Sequence, residues 1–118
     1  MQKKPTIVLV RPQLPENIGM TARAMDNCGL SNLFLVSPRE KWPNKVSIKS
    51  SANSSKIINK AKIFDNLDNA LSSFHYVVAT SNRRRFLNKP QINNFDVFFK
   101  KILINKNIAI LFGPENSG

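Results

Sequence analysis

The segment LPENIGMTARAMDNCGL, residues 14–30, carries two side chains that could act on a substrate. Asn17 offers an amide, and Arg23 offers a guanidinium about one and a half helical turns further along. The planar fork of an arginine can hold a phosphate or a carboxylate through paired hydrogen bonds. The structural alternative is a salt bridge from Arg23 to Asp26, three residues further along the same helix.

A run of three arginines is the second candidate. Arg83, Arg84 and Arg85 come directly after the apolar segment YVVATSN and precede Phe86. Guanidiniums that follow a buried strand would lie beside a cleft, where they could bind phosphate, and the alternative is a solvated run of charges. Arg11, at the end of the first apolar run, is added to them as a candidate RNA contact.

The charge of the whole chain points to a polyanionic partner. Eighteen Lys and Arg residues stand against seven Asp and Glu among 118 residues, which gives a net charge of +11. Such a balance favours RNA or DNA over a membrane surface for a chain of this kind. The alternative is that scattered lysines only keep a small protein in solution.

Several classes of function lack the motifs that they need. No GxGxxG follows the first apolar run, and neither a P-loop nor a GxSxG motif is present. One cysteine, Cys28, and one histidine, His75, provide no disulfide and no metal cluster, so we predict structural roles for both. Apolar runs of four or five residues are too short to span a bilayer, and no signal-peptide cleavage site is visible. A cytoplasmic protein is expected.

Short apolar runs alternate with helical patterns along the chain. Strands are predicted at residues 6–11, 32–38, 62–65, 75–81 and 107–113. Helices are predicted from residue 17, weakly at 50–61, and at 67–74 and 94–102. This alternation is typical of one α/β domain with a mostly parallel sheet that helices cover on both faces. Ligands of such sheets bind beyond the carboxyl ends of the strands, where most of the candidate polar residues follow.

Local signals refine the helix boundaries. Asn17 is predicted to be the N-cap of the first helix, and Asp65 that of the helix at 67–74. Gly29 suits the left-handed residue that ends a helix, while Gly19 permits a close approach of backbone or ligand. The residues expected on the inner face of the first helix are Ile18, Ala22, Met25 and Leu30.

Two segments resemble the motifs of a known family. NIGMTARAMDNCGL is similar to the first motif of the SpoU/TrmH-type RNA ribose 2'-O-methyltransferases, and NIAILFGPENSG is similar to their second motif. The segments FLVSP and VVATSNRRR between them also look like the family, particularly its bacterial branch that methylates riboses in the tRNA anticodon loop. The resemblance covers essentially the whole chain, in order.

The resemblance implies a SPOUT-type α/β fold with a deep trefoil knot, S-adenosylmethionine as methyl donor, and an active site at a homodimer interface. Arg23 falls on the arginine that engages the ribose hydroxyl, as a base or as a clamp, and Asn17 falls on the asparagine that orders the site. Residues implied for the cofactor pocket are Thr80, Ser81, Asn82 and Gly113, with Glu115 and Gly118 as structural positions of the second motif.

The family's third motif is absent from the sequence. We therefore expect residues 1–118 to be the N-terminal two-thirds of one methyltransferase domain, without the final strand and helix of the knot. Two functions follow as hypotheses: a tRNA 2'-O-methyltransferase or a fragment of one, and a non-catalytic RNA-binding remnant of such an enzyme.

Overall fold

The computed structural model describes residues 4–39, 44–80 and 106–114. Within these ranges, strands and helices alternate along the chain. The strands are β1 Thr6–Val10, β2 Leu33–Val36, β3 Lys62–Phe64, β4 Tyr76–Ala79 and β5 Ile108–Phe112. The helices are α1 Pro15–Asn27, α2 Lys45–Ser50, α3 Ser55–Lys60 and α4 Leu67–Leu71, with a 3₁₀ turn at Ala52–Ser54 before α3.

The strands form one parallel sheet in the order β3-β2-β1-β5-β4. β1 lies at the centre, so that Val8 pairs with Phe34 of β2 on one side and with Leu111 of β5 on the other. The predicted α/β class and parallel sheet are confirmed, and each predicted strand that lies in the described ranges is found within two residues of its expected ends. The trefoil knot stays a prediction.

Apolar side chains pack on both faces of the sheet, as continuous apolar strands require. Alternate residues of β1 point to opposite faces. Ile7 belongs to the cluster beneath α1 and α3, and Val8 belongs to the cluster beneath α4. The first cluster comprises Ile7, Ile18, Ala22, Met25, Leu33, Leu35, Ile57 and Ile58, and the second comprises Val8, Val36, Ala70 and Ala109.

The start of α1 corrects one prediction. The helix begins at Pro15, after Leu14 as N-cap, and no side chain caps it. Asn17 is the third residue of the helix, so the prediction that it is the N-cap was wrong. Proline favours the first helical position because its φ is already helical and it has no N–H to satisfy. That preference determined the start of the helix here, ahead of the capping tendency of asparagine.

The body and the end of α1 follow the predicted pattern. Ile18, Ala22 and Met25 are buried, as expected of the inner face. Gly29 has a φ of 76° and is the left-handed residue that follows the helix. Leu30 lies just beyond the helix, where it packs against the same core cluster.

Helix α2 was not predicted. Asn44 caps it, because the Asn44 Oδ1 accepts hydrogen bonds from the backbone N–H groups of Val46, at 2.9 Å, and Ser47, at 3.2 Å. The weak helical segment at 50–61 is found as the 3₁₀ turn and α3.

Helix α4 corrects another capping prediction. The Asn66 Oδ1 accepts from the backbone N–H of Asn69 at 2.8 Å, so Asn66 is the cap and Asp65 is not. An N-cap must lie directly before the first helical residue, and that place belongs to Asn66. The helix predicted at 94–102 lies outside the described residues.

Helix α2 is pressed against the first turns of α1. A Cβ on Gly19 would lie 2.6 Å from the backbone oxygen of Ser47 and would overlap the side chain of Ser50. Ser47 is fully buried, and its Oγ donates a hydrogen bond of 2.9 Å to the backbone oxygen of Pro15. The close approach predicted for Gly19 is therefore to the backbone of α2, and it fixes the part of α1 that carries Asn17.

Candidate functional site

The turns that follow β1 and β2 hold strained backbone. Arg11 has a φ of 48° and Ser37 a φ of 47°, a conformation that costs a residue with a side chain about 1–2 kcal/mol. The Arg11 N–H donates to the Val36 oxygen at 2.7 Å, and the Ser37 N–H donates to the Phe64 oxygen at 2.8 Å. Each bond joins the end of one strand to its neighbour. This edge, where the strands have their carboxyl ends, is called the carboxyl edge below.

A pocket of about 410 Å³ lies at the carboxyl edge, between α1 and the ends of β1 and β5. A pocket of this size can hold a small molecule. Its lining residues are Leu9, Pro12, Asn17, Ile18, Met20, Thr21, Ala24, Phe112 and Gly113. The structure thus brings together Asn17 and Gly113, two predicted site residues that come from opposite ends of the chain.

Asn17 is one of the residues that line this pocket. Its backbone oxygen accepts a hydrogen bond of 2.8 Å from the Thr21 Oγ1. The side-chain amide makes no hydrogen bond to any residue in the part of the chain that the structure describes. The amide is thus available to a ligand, as a donor and as an acceptor.

Gly113 borders the pocket from the end of β5. A Cβ built on it would meet no atom of the described residues within 4 Å. Packing against that part of the chain therefore gives no reason for a glycine at this position. The open space next to its backbone is a place where a bound molecule could approach the chain closely.

Thr80 lies after β4, next to β5 rather than in the lining of the pocket. Its N–H and its Oγ1 both donate to the backbone oxygen of Leu111, at 2.9 and 3.0 Å. These bonds fix the start of the predicted cofactor loop beside β5, two residues before Gly113. Ser81 and Asn82, predicted in the same loop, lie outside the described residues.

Arg23 is not part of the pocket lining. It is exposed on α1, and at 100° per residue it lies about 120° around the helix from Asn17. The alternative salt bridge to Asp26 is not formed. Instead, an Asp26 carboxylate oxygen accepts a hydrogen bond of 2.9 Å from the Ser54 Oγ, and the other lies 3.9 Å from the Lys56 Nζ.

The basic residues predicted to contact RNA are described only in part. Arg11 is exposed at the carboxyl edge. Arg83, Arg84 and Arg85 lie outside the described residues, as do Glu115 and Gly118 of the second motif.

The apolar rim of the pocket was missed from the sequence. Met20 is 57% exposed and Phe112 39%, although both are large and hydrophobic. An adjoining apolar recess of about 330 Å³ runs past Thr21, Ala24 and Cys28. The signal that could have found this surface is a second stripe on α1 at helical spacing, formed by residues 17, 20, 21, 24 and 28.

The described residues contain no cluster of three or more His, Cys, Asp and Glu side chains that could hold a metal ion. His75 has a structural contact, because its Nδ1 accepts a hydrogen bond of 2.9 Å from the Asn107 N–H. No helix in the described ranges has the length and apolar character needed to cross a membrane.

A parallel α/β sheet with a pocket where a helix follows the central strand is typical of domains that bind small ligands at the carboxyl edge. The SpoU rRNA Methylase family matches residues 4–118. The chain belongs to that family.

Curated relatives and solved structures extend this likeness. The chain is 45% identical over 114 residues to the tRNA (cytidine/uridine-2'-O-)-methyltransferase TrmJ of Sodalis glossinidius, covering 95% of this chain and 44% of that protein. The crystal structure of TrmJ from Z. mobilis ZM4 matches with a TM-score of 0.82 and 37% identity, over 98% of this chain and 52% of that one. The chain spans about half the length of such relatives.

A more distant match shows the same fold. The SpoU methyltransferase AviRb from Streptomyces viridochromogenes, solved in complex with the cofactor AdoMet, matches with a TM-score of 0.71 and 17% identity. The match covers 100% of this chain and 46% of AviRb.

Proposed function

We propose that this chain forms the larger part of a tRNA ribose 2'-O-methyltransferase domain that uses S-adenosylmethionine. One observation carries the proposal: Asn17 of the first motif and Gly113 of the second line the same pocket. Membership of the SpoU family and the 45% identity to a tRNA 2'-O-methyltransferase support it. Residues 1–118 would be the N-terminal two-thirds of this domain, and the proposed location is the cytoplasm.

The residues at the pocket fit the proposed cofactor. S-adenosylmethionine, when bound, supplies an activated methyl group. Gly113 has open space among the described residues where a Cβ would lie, and the Asn17 amide makes no hydrogen bond to any of those residues. Thr80 holds the neighbouring loop to β5 through the Leu111 oxygen, and Ser81 and Asn82 are proposed to complete the pocket from that loop.

The reaction requires help at the ribose oxygen. A 2'-hydroxyl is a poor nucleophile, and its proton must leave as the oxygen gains the methyl group. A guanidinium normally keeps its proton, so Arg23 is better suited to hold the ribose and the adjacent phosphate and to stabilise negative charge that develops on oxygen. Asn17 would orient the groups beside it.

The position of Arg23 favours a site shared between two copies of the chain. Arg23 is exposed and is not among the residues that line the pocket of its own chain. The exposed apolar side chain of Met20 lies on the same helix, about 60° from Arg23. A homodimer that covers Met20 would let Arg23 of one protomer act at the pocket of its partner.

Basic residues near the carboxyl edge are proposed to bind the RNA. Arg11 is exposed there, and Arg83, Arg84 and Arg85 follow β4 in the sequence, three to five residues beyond the described Thr80. Guanidinium groups bind phosphate oxygens through paired hydrogen bonds. The net charge of +11 would attract a polyanion over a longer range.

Transfer of a radioactive methyl group from S-adenosylmethionine to tRNA tests the proposal. Arg23→Lys should lower the rate by about 100-fold, because lysine keeps the charge but loses the planar fork. Asn17→Ala should lower it too, while Asn27→Ala, on the exposed end of the same helix, should leave it within about twofold. Full methylation by the Arg23→Lys protein would contradict the role of the guanidinium.

Binding measurements separate the enzyme from the alternative. Calorimetry should detect binding of S-adenosylmethionine to the unaltered chain. If tRNA binds but neither cofactor binding nor methyl transfer is found, this chain acts as a non-catalytic RNA-binding remnant, and the proposed activity is wrong for it.

A further inference from the structure

The opposite edge of the sheet, where the strands begin, is basic. We define this amino edge by the described residues that precede or start the five strands: 4–5, 29–32, 60–62, 72–75 and 106–107. These residues include no Asp or Glu and four lysines: Lys4, Lys60, Lys62 and Lys106. Positive charge is thus concentrated at the amino edge, whereas the proposed methyl-transfer site lies at the carboxyl edge.

A recess of about 220 Å³ opens at the amino edge. Lys60 and Lys62 line it together with Asn32, Ser73, Phe74 and Asn107. The Lys62 Nζ lies 5.8 Å from the centre of the Phe34 ring, which keeps the ammonium beside the recess. The recess therefore combines two cations with polar groups that can donate hydrogen bonds.

The ammonium groups of the recess lack an acidic partner among the residues that the structure describes. No carboxylate of the described residues forms an ion pair with Lys60 or Lys62. Asp26, near the end of α1, pairs with Lys56 instead. An anion that enters the recess would thus meet two lysines that no described carboxylate neutralises.

The floor of the recess is held in place. The Asn107 N–H donates to the His75 Nδ1 at 2.9 Å, and the Asn107 Nδ2 donates to the Ser73 oxygen at 3.3 Å. These bonds join the segments that precede β4 and β5. The shape of the recess is therefore set before any ligand arrives, which lowers the entropic cost of binding.

We propose that this recess binds a phosphate of the RNA backbone, as a second contact remote from the methyl-transfer site. The inference rests on the proposed function, in which the partner is tRNA. A strand of five residues separates the two edges by about 15 Å. One RNA could reach both edges, because its backbone carries a charge at every nucleotide, and each lysine that meets a phosphate releases a counterion.

The experiment compares two pairs of substitutions that remove the same charge. Lys60→Gln with Lys62→Gln alters the recess, and Lys45→Gln with Lys49→Gln alters exposed lysines on α2. Binding of tRNA is measured by fluorescence anisotropy over a range of salt concentrations. The recess pair should weaken affinity roughly fivefold or more and lower the slope of log Kd against log salt by about 1 to 2. The α2 pair should change affinity by less than about twofold.

A second measurement uses the unaltered chain and does not depend on how the variants fold. Acetylation of lysines followed by mass spectrometry should show Lys60 and Lys62 protected when tRNA is bound, with Lys45 and Lys49 as the internal comparison. Thermal unfolding of each variant confirms that affinities are compared between folded proteins.

The outcomes distinguish this inference from the function on which it rests. If the unaltered chain binds tRNA and the recess pair binds it equally well without protection of Lys60 and Lys62, the inference alone is wrong. Equal weakening by both pairs would mean that net charge matters and position does not, which also overturns it. Failure of the unaltered chain to bind tRNA at all would overturn the inference together with the proposed partner.

Discussion

The two edges of one sheet differ in chemistry. The carboxyl edge has a pocket with an apolar rim, left-handed backbone at Arg11 and Ser37, and open space beside Gly113. The amino edge has lysines, no acidic side chain among the residues that define it, and hydrogen bonds that tie Asn107 to its neighbours. The first edge suits a small molecule that must be held in a fixed position, and the second suits a charged backbone.

Parallel strands account for much of this difference. All five strands run the same way, so helices begin at the carboxyl edge and end at the amino edge. Helix ends carry partial negative charge and favour lysine nearby, as at Lys60 in the last turn of α3. At the carboxyl edge, the first turns of the helices and the loops before them instead offer N–H groups and a pocket to a ligand.

The largest expected effect is on the free energy of unfolding, through the contact between α1 and α2. Gly19→Ala should lower the free energy of unfolding by about 2 kcal/mol, because the new Cβ would collide with the Ser47 backbone oxygen and the Ser50 side chain. An exposed glycine in a helix would respond in the opposite direction, since alanine is the better helix former. Urea denaturation measures the change. A gain in stability would mean that α2 does not press on α1 as described.

A smaller effect is expected at Gly113, also at the carboxyl edge, where a substitution should change cofactor affinity but not stability. Gly113→Ala should weaken binding of S-adenosylmethionine by about tenfold, or about 1.4 kcal/mol, because its methyl group would occupy the space proposed for the cofactor. Stability should change by less than about 0.5 kcal/mol, since no atom of the residues that the structure describes lies within 4 Å of the added carbon. Calorimetry measures the affinity. Unchanged affinity would place the cofactor elsewhere.

The smallest effect tests the strained turn after β1. Arg11→Gly should raise the free energy of unfolding by about 1 kcal/mol, because glycine adopts a φ of 48° without strain. The same change should weaken tRNA binding, since the exposed guanidinium is lost. Arg11→Ala serves as control: it should weaken tRNA binding equally but without the gain in stability. Equal stability of the two variants would show that the backbone is not strained there.

The sequence was sufficient to predict most of the fold. Runs such as IVLV and IAILF are apolar at every position, which marks strands buried on both faces regardless of their neighbours. The pattern of Ile18, Ala22 and Met25 predicted the inner face of α1, and Gly29 predicted its end. These signals are local, because each depends on a few adjacent side chains.

The wrong and missing predictions lie where several local preferences compete or where tertiary contacts determine the structure. Asn17 and Pro15 both suit a helix start, and proline prevailed. Helix α2 has only six residues, too few for a periodic pattern, and its packing on Gly19 is invisible until the fold is known. Part of the pocket was not predicted, because Met20 and Phe112 are of residue types that usually lie in a core, whereas the structure exposes them.

The pairing of β1 with β5 also has a consequence for synthesis on the ribosome. Val8 in β1 has Leu111 of β5 as its neighbour on one side. The hydrogen bonds on that side of β1 can therefore form only after about a hundred further residues have been synthesised. At roughly 5–20 residues per second, that interval is about 5–20 s. During it, the nascent chain exposes an unpaired apolar strand of the kind that aggregates or recruits chaperones. The central position of the first strand thus makes this domain fold late.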